Sequence, residues 1–180
     1  MSMRERHPGC IGAALLLAVA SQVQAEGPKL GLPATPAEVA AWSMNVFPDG
    51  RGLPAGSGTA IEGKLVYDGR CASCHGPAGT GGSAEELAGA QHGLTGPSPD
   101  KTVGTYWPYA TTIFDFVRRS MPLDAPGSLS NDQIYAVTAY LLNINGIIDE
   151  RAEISAATLP QVKMPNRDGF VSIDAPGSAR

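Results

Sequence analysis

"CASCHGPAG", running from Cys71 to Gly79, is the stretch on which the reading of this chain turns. Two cysteines stand two residues apart, and a histidine follows at once. That spacing serves three chemistries: a redox dithiol, half of a zinc site, or the covalent seat of a haem. The sequence on either side has to separate them.

Upstream, the chain opens with Arg4, Arg6 and His7, then the apolar run "IGAALLLAVA" (Ile11 to Ala20) and the small-residue exit "VQA" (Val23 to Ala25). This is the grammar of a secretory signal peptide, predicting cleavage after Ala25 and export to the periplasm. The apolar run is too short to span a membrane, and Cys10 precedes it instead of following it, so no membrane or lipid anchor is expected. Cleavage would carry Cys10 away and leave Cys71 and Cys74 as the cysteines of the mature chain. An isolated close pair is not the disulfide framework of an exported fold of this size. The charge balance, 13 Lys and Arg against 17 Asp and Glu, argues against a nucleic-acid partner. With 22 Gly and 15 Pro the chain is loop-rich, yet at about a fifth it falls short of a disordered composition.

Three segments carry helix signals, and no alternation persists long enough to build a sheet. In "TAIEGKLVYDGR", Thr59 and Glu62 form a capping box, and Ile61, Leu65 and Val66 lie on one helical face, predicting a helix that runs into Cys71. Gly63 and Tyr67 on the same segment would let Tyr140 of the last helix approach closely. In "PYATTIFDFVRR", Pro108 suits the first position, Ile113, Phe114 and Val117 are the apolar stripe, Arg118 and Arg119 close the last turn, and Pro122 stops the helix. In "SNDQIYAVTAYLLNING", Ser130 and Gln133 form a second box, Ile134, Val137, Tyr140 and Leu141 form the stripe, and Gly146 ends it. A weaker helix is expected over Pro36 to Asn45, where Thr35 and Glu38 repeat the cap, and one helical turn at Ala84 to Leu87. Beyond Asp149 the sequence reads as irregular and surface-hugging, with a loose end. The fold class is therefore all-α: short helices that need something central to pack on. The expected organisation is a leader (1–25), an N-terminal extension (26–58), a helical domain (59–146) and a C-terminal extension wrapping it (147–180).

That context decides the motif. A dithiol of the thioredoxin type follows a strand in a βαβ pattern, and none is present. A structural zinc site needs four ligands, whereas the mature chain offers two cysteines and two histidines, His75 and His92. What remains is C-x-x-C-H, the attachment signature of c-type haem. Cys71 and Cys74, one helical turn apart, match the two vinyl groups, and His75 beside them reaches the iron as an axial ligand. One motif means one haem c.

An electron-transfer haem takes a second axial ligand, often Met, which raises its potential. The candidates are Met44, Met121, Met164 and His92. Met121 lies between two predicted helices, held extended by Pro122, and is preferred. Met164 repeats the Met-Pro pair beyond the last helix, and His92 sits in a Gly-rich loop. The structural alternative for any single Met is core filling. Trp107 and Tyr109 could line the haem or bond a propionate, although burial of aromatic area accounts for them equally. Arg118 or Arg119 could neutralise a propionate or complement the helix end. The iron-free ring nitrogen of His75 needs an acceptor, expected among the loop carbonyls from Leu87 to Pro97.

With these residues together, the chain resembles a class I cytochrome c from about Thr59 to Asn145: a helix running into "CASCHG", a Met-Pro before the last helix, and an aromatic on that helix. A narrower resemblance rests on "ATPAEVAAWSMNVFPDGRGLPAGSG", "TVGTYWPYATTIFDFVRRSMP", "YAVTAYLLNINGII" and "KMPNRDGF". These are similar to bacterial sulfur-oxidation cytochromes (the Sox-type, SoxD-like group), the haem subunits of molybdenum-containing sulfite or sulfane dehydrogenase. The resemblance implies covalent attachment at Cys71 and Cys74, His75 as proximal and Met121 as distal ligand, and a molybdenum subunit as electron donor, with another cytochrome or a terminal oxidase as acceptor. It implies an electron carrier that is not an enzyme on its own. The long form of that cytochrome carries two haem domains, whereas one motif here implies a monohaem subunit or a freely diffusing carrier. A haem enzyme or sensor with an open distal site is the competing class, and it would bind carbon monoxide readily.

Overall fold

The computed structural model describes residues 30–171. The leader with its Cys10 and the end of the tail lie outside the described residues. The chain divides into two compact units, Met1–Ala40 and Ala41–Arg180. In the first, Glu38 Oε2 accepts hydrogen bonds from the Thr35 N–H and hydroxyl, 2.8 Å each, and caps α1, Pro36–Trp42. The helix stops at Trp42, short of the expected Asn45.

The second unit holds β1 (Ser57–Gly58), α2 (Ala60–Arg70), α3 (Ala72–His75), α4 (Ala110–Ser120), α5 (Asn131–Ile144) and β2 (Ile154–Ser155), with 3₁₀ turns at Pro77–Gly79 and Leu159–Gln161. Both expected capping boxes form, Thr59 with Glu62 on α2 and Ser130 with Gln133 on α5. The architecture is all-α apart from one antiparallel pairing of two residues each, Ser57 with Ser155 and Gly58 with Ile154.

The main crossing is between α2 and α5, and it corrects the face predicted for α2. Ala60, Gly63 and Tyr67 are buried, whereas Ile61 is 50% and Leu65 75% exposed. Only Val66 of the expected trio packs on the core. The reason is the closeness of the two backbones. A Cβ at Gly63 would fall deep inside the Ala136 carbonyl oxygen, so this position admits glycine alone. One turn on, the Tyr67 and Tyr140 rings meet with centroids 5.0 Å apart. Small residues, not aliphatic ones, mark the buried stripe of α2.

Helix α4 behaves as its apolar stripe predicts. Ile113, Phe114 and Val117 are buried, and the Phe114 ring lies 4.4 Å from that of Tyr135 on α5. Its N-cap is Tyr109, so Pro108 stands two residues before the first helical residue, Ala110, instead of inside the helix. Asp115 pairs with Arg119 on the same helix and also accepts from the Val46 N–H at 3.0 Å, while Arg119 reaches Asn45 Oδ1 at 2.8 Å. Together they fasten the segment before the haem motif onto α4.

The residues after Asp149 are less superficial than expected. Ile154, Leu159 and Met164 all enter the core. Among the described residues no helix is long and apolar enough to cross a membrane.

Candidate functional site

Cys71 closes α2 and opens α3. Its N–H donates to Tyr67 O at 2.8 Å, and its own carbonyl accepts from Cys74 N and His75 N at 3.1 and 3.0 Å. The motif is thus a single tight turn that places both thiols and the imidazole on consecutive faces. The two cysteines form no disulfide with each other. Without the cofactor, burial pushes the Cys71 thiol up to about 11, with Arg70 opposing.

The chain after the motif folds back on it. Gly76 takes φ +76°, and a Cβ there would collide with the Thr80 carbonyl, so the reversal depends on glycine. The buried Tyr67 hydroxyl donates to Gly76 O at 2.8 Å, and burial pushes that hydroxyl up to about 12. Ala84 N then donates to Cys74 O at 2.8 Å, and Leu87 N to Gly79 O at 2.8 Å. These bonds explain why Ala84 to Leu87 is not the helical turn predicted for it. The N–H groups of Ala84 and Leu87 are spent on Cys74 and Gly79, so neither serves an i to i−4 ladder.

The same return strand supplies the acceptor for His75. Nδ1 lies 2.8 Å from the Glu85 carbonyl oxygen. The acceptor was expected between Leu87 and Pro97, and it stands two residues earlier. A carbonyl can only accept, so Nδ1 carries the proton and Nε2 keeps the free lone pair. This fixes which nitrogen can bind a metal, and the hydrogen bond from Nδ1 to the Glu85 carbonyl also raises the basicity of Nε2.

Met121 caps α4 in extended backbone (φ −122°, ψ 147°), followed by a cis bond to Pro122, and its side chain is half-buried on the same core as Cys71, Ala72, Leu87, Trp107 and Ile144. Arg70, next to Cys71, donates to Ser128 Oγ at 2.8 Å and so ties the loop after Met121 to the motif. Met164 is different: at 3% exposure it is enclosed by the protein itself. Met44 is 42% exposed. His92 is held in a surface loop by Asp100, whose Oδ2 takes the His92 and Gln91 N–H groups at 2.8 and 2.7 Å and the His92 ring at 3.2 Å. Those bonds, the His92 N–H first, hold the Asp100 carboxyl below its usual range.

Trp107 is half-buried and packs on Phe116 and Tyr106, with centroids 5.9 and 6.3 Å apart. Tyr109 carries the Arg167 guanidinium over its ring at 4.4 Å, and Asn166 Nδ2 donates to Tyr106 O at 2.8 Å. The "KMPNRDGF" stretch therefore clamps the "TYWPY" stretch. The two arginines of α4 separate clearly. Arg119 is committed to Asp115 and Asn45, whereas Arg118 has no hydrogen-bond or ion-pair partner among the described residues. Sequence reasoning missed Glu85, whose backbone carbonyl leaves no signal in residue identity, and Asn145, which joins three segments beside the motif.

Two free thiols one turn apart, an imidazole with its outer nitrogen protonated, and a half-buried thioether on the same core make a donor set that fits a covalently held haem. The family model for cytochrome c matches residues 60–145. Taken with the similarity that follows, the chain belongs to the cytochrome c family, in its class I form, and carries covalently bound haem c as an electron-transport protein. Among solved structures it is similar to a chain of the crystal structure of the sulfane dehydrogenase SoxCD from Paracoccus pantotrophus. The identity is 42%, the match covers 82% of this chain and 73% of that one, and the TM-score is 0.75. No curated protein sequence matches the chain.

Proposed function

We propose that this chain is a periplasmic monohaem subunit that takes electrons from a molybdenum-containing sulfane or sulfite dehydrogenase subunit and passes them to another cytochrome or a terminal oxidase. One observation carries the reading. The likeness to the SoxCD chain takes in 82% of this chain, well beyond the haem domain at 60–145, and so includes segments that a generic cytochrome lacks. On this reading the signal peptide ends at Ala25, and the extensions 26–58 and 147–180 flank a haem domain at 59–146. The pairing of Ser57 with Ser155 joins those two extensions.

Cys71 and Cys74 would hold the haem covalently, and His75 Nε2 and Met121 Sδ would be the protein's donors to its iron; the bound group would supply a one-electron couple. Glu85 orients the imidazole, Trp107 and Tyr109 wall off solvent, and the uncommitted Arg118 offsets propionate charge. With both of these residues donating to the iron, the chain would carry electrons and leave sulfur chemistry to its partner.

Two measurements test this. Met121→Ala should give a high-spin ferrous spectrum, ready carbon monoxide binding and a lower potential; an unchanged spectrum and potential would remove Met121 from the site. Protein purified from its source should bring a molybdenum subunit with it and be reduced on addition of a sulfur substrate. Isolation of the chain alone, with no substrate-dependent reduction, would leave a freely diffusing carrier.

A further inference from the structure

Asn145 is the C-cap of α5, yet its side chain works mostly elsewhere. Nδ2 donates to Leu141 O at 2.8 Å, satisfying a helix-end carbonyl, and to Leu87 O at 2.9 Å. Oδ1 accepts from Gly104 N at 3.1 Å. Three of the four bonds an amide can make are therefore used, each to a different segment.

Leu87 is where this matters. Its N–H goes to Gly79 O, on the haem-motif side, while its carbonyl is held by Val103 N at 3.1 Å and by Asn145. The return strand from Ala84 to Leu87 is thus pinned at two points: Ala84 to Cys74 O, and Leu87 to Gly79, Val103 and Asn145. Between those points lies the Glu85 carbonyl that accepts from His75 Nδ1. Glu85 and Glu86 are solvent-exposed and add no packing of their own.

We infer that Asn145 is a positioning residue for His75: it fixes the Leu87 carbonyl, the Leu87 anchor sets the direction of the Glu85 carbonyl, and that carbonyl sets the orientation and basicity of the imidazole. The inference rests on the reading of His75 as the proximal ligand. Its logic is directional. A weaker Nδ1–H···O bond makes Nε2 a poorer donor, which favours Fe(II) over Fe(III) and raises the potential.

The test compares Asn145→Ala with Asn145→Asp in the haem-loaded protein. Asp keeps an oxygen for Gly104 N but loses both donors. The expected result is that both variants shift the reduction equilibrium toward Fe(II) by up to about tenfold and speed amide exchange at Leu87 and Ala88. If the Asp variant matches the wild type while Ala does not, the Gly104 contact is what matters and the inference is overturned. It is overturned as well if neither variant moves the potential. Should both variants fold poorly, the unsubstituted protein decides: the Asn145 side-chain amide protons and the His75 Nδ1 proton should be protected from exchange together, and independent exchange would refute the link. His75→Ala separates the two readings, because a low-spin haem retained in that variant would remove His75 from the iron and leave the Asn145 result without a ligand to act on.

Discussion

From Cys71 to Ala88 the chain is held in place by main-chain hydrogen bonds, with few buried side chains, whereas from Ala110 to Met121 it is held by buried side chains on a regular helix. The first region presents His75, the second Met121. Hydrogen bonds are directional and fix an imidazole to one tautomer and one angle. Burial is not directional, but it sums to more free energy. The His75 side is therefore built for orientation and the Met121 side for stability.

The comparison can be broken most forcefully on the Met121 side. Phe114→Ala should cost about 3–5 kcal/mol, since it removes a fully buried ring stacked on Tyr135. Thermal unfolding would show this as a large fall in Tm, and a variant within a degree or two of wild type would contradict the division of labour. On the His75 side Tyr67→Phe keeps the ring packed on Tyr140 but leaves the Gly76 carbonyl with only the Gly79 N–H at 3.3 Å. A loss of about 0.5–1.5 kcal/mol is expected, with amide exchange accelerated around Gly76 to Ala84 more than in α4; uniform acceleration would show that the two regions are not separately built.

The smallest effect is a pH dependence. The Asp100 carboxyl sits below its unfolded value of 3.8, chiefly because it accepts the His92 N–H. A depressed carboxylate stabilises above the unfolded pKa and loses that contribution as pH falls through the folded one. Order at Gln91 and His92 should therefore persist down to about pH 4 and fade below it, as followed by their amide resonances. In Asp100→Asn that acid transition should vanish.

The parts of the fold that were legible in the sequence are those where one residue type has one use. Thr59 with Glu62 and Ser130 with Gln133 cap helices wherever they stand before an apolar run, and C-x-x-C-H has a single good explanation in a helical chain without further cysteine ligands beside it. The aliphatic stripe of α4 was equally plain. The reading of α2 failed because hydrophobicity points to Ile61 and Leu65, while a close helix crossing selects Ala60 and Gly63. Ala84 to Leu87 has helical composition but spends its N–H groups on another segment. Ile154, Leu159 and Met164 reach the core without any periodicity to announce them. In the candidate site, side-chain chemistry named the donors, and main-chain partners such as Glu85 stayed invisible because every residue has a carbonyl.

The short ladder between Ser57 and Ser155 bears on the order in which the molecule assembles. Its two strands come from opposite flanks of the haem domain, and joining them closes most of the chain into one ring. Closing a long ring carries an entropic cost that nearby contacts do not, and pairings distant in sequence are slow to form. The haem-binding pentapeptide and its Glu85 acceptor lie within fifteen residues of one another, from Cys71 to Glu85. That turn can thus form while the flanks are still apart, and the ladder is a closure made after it.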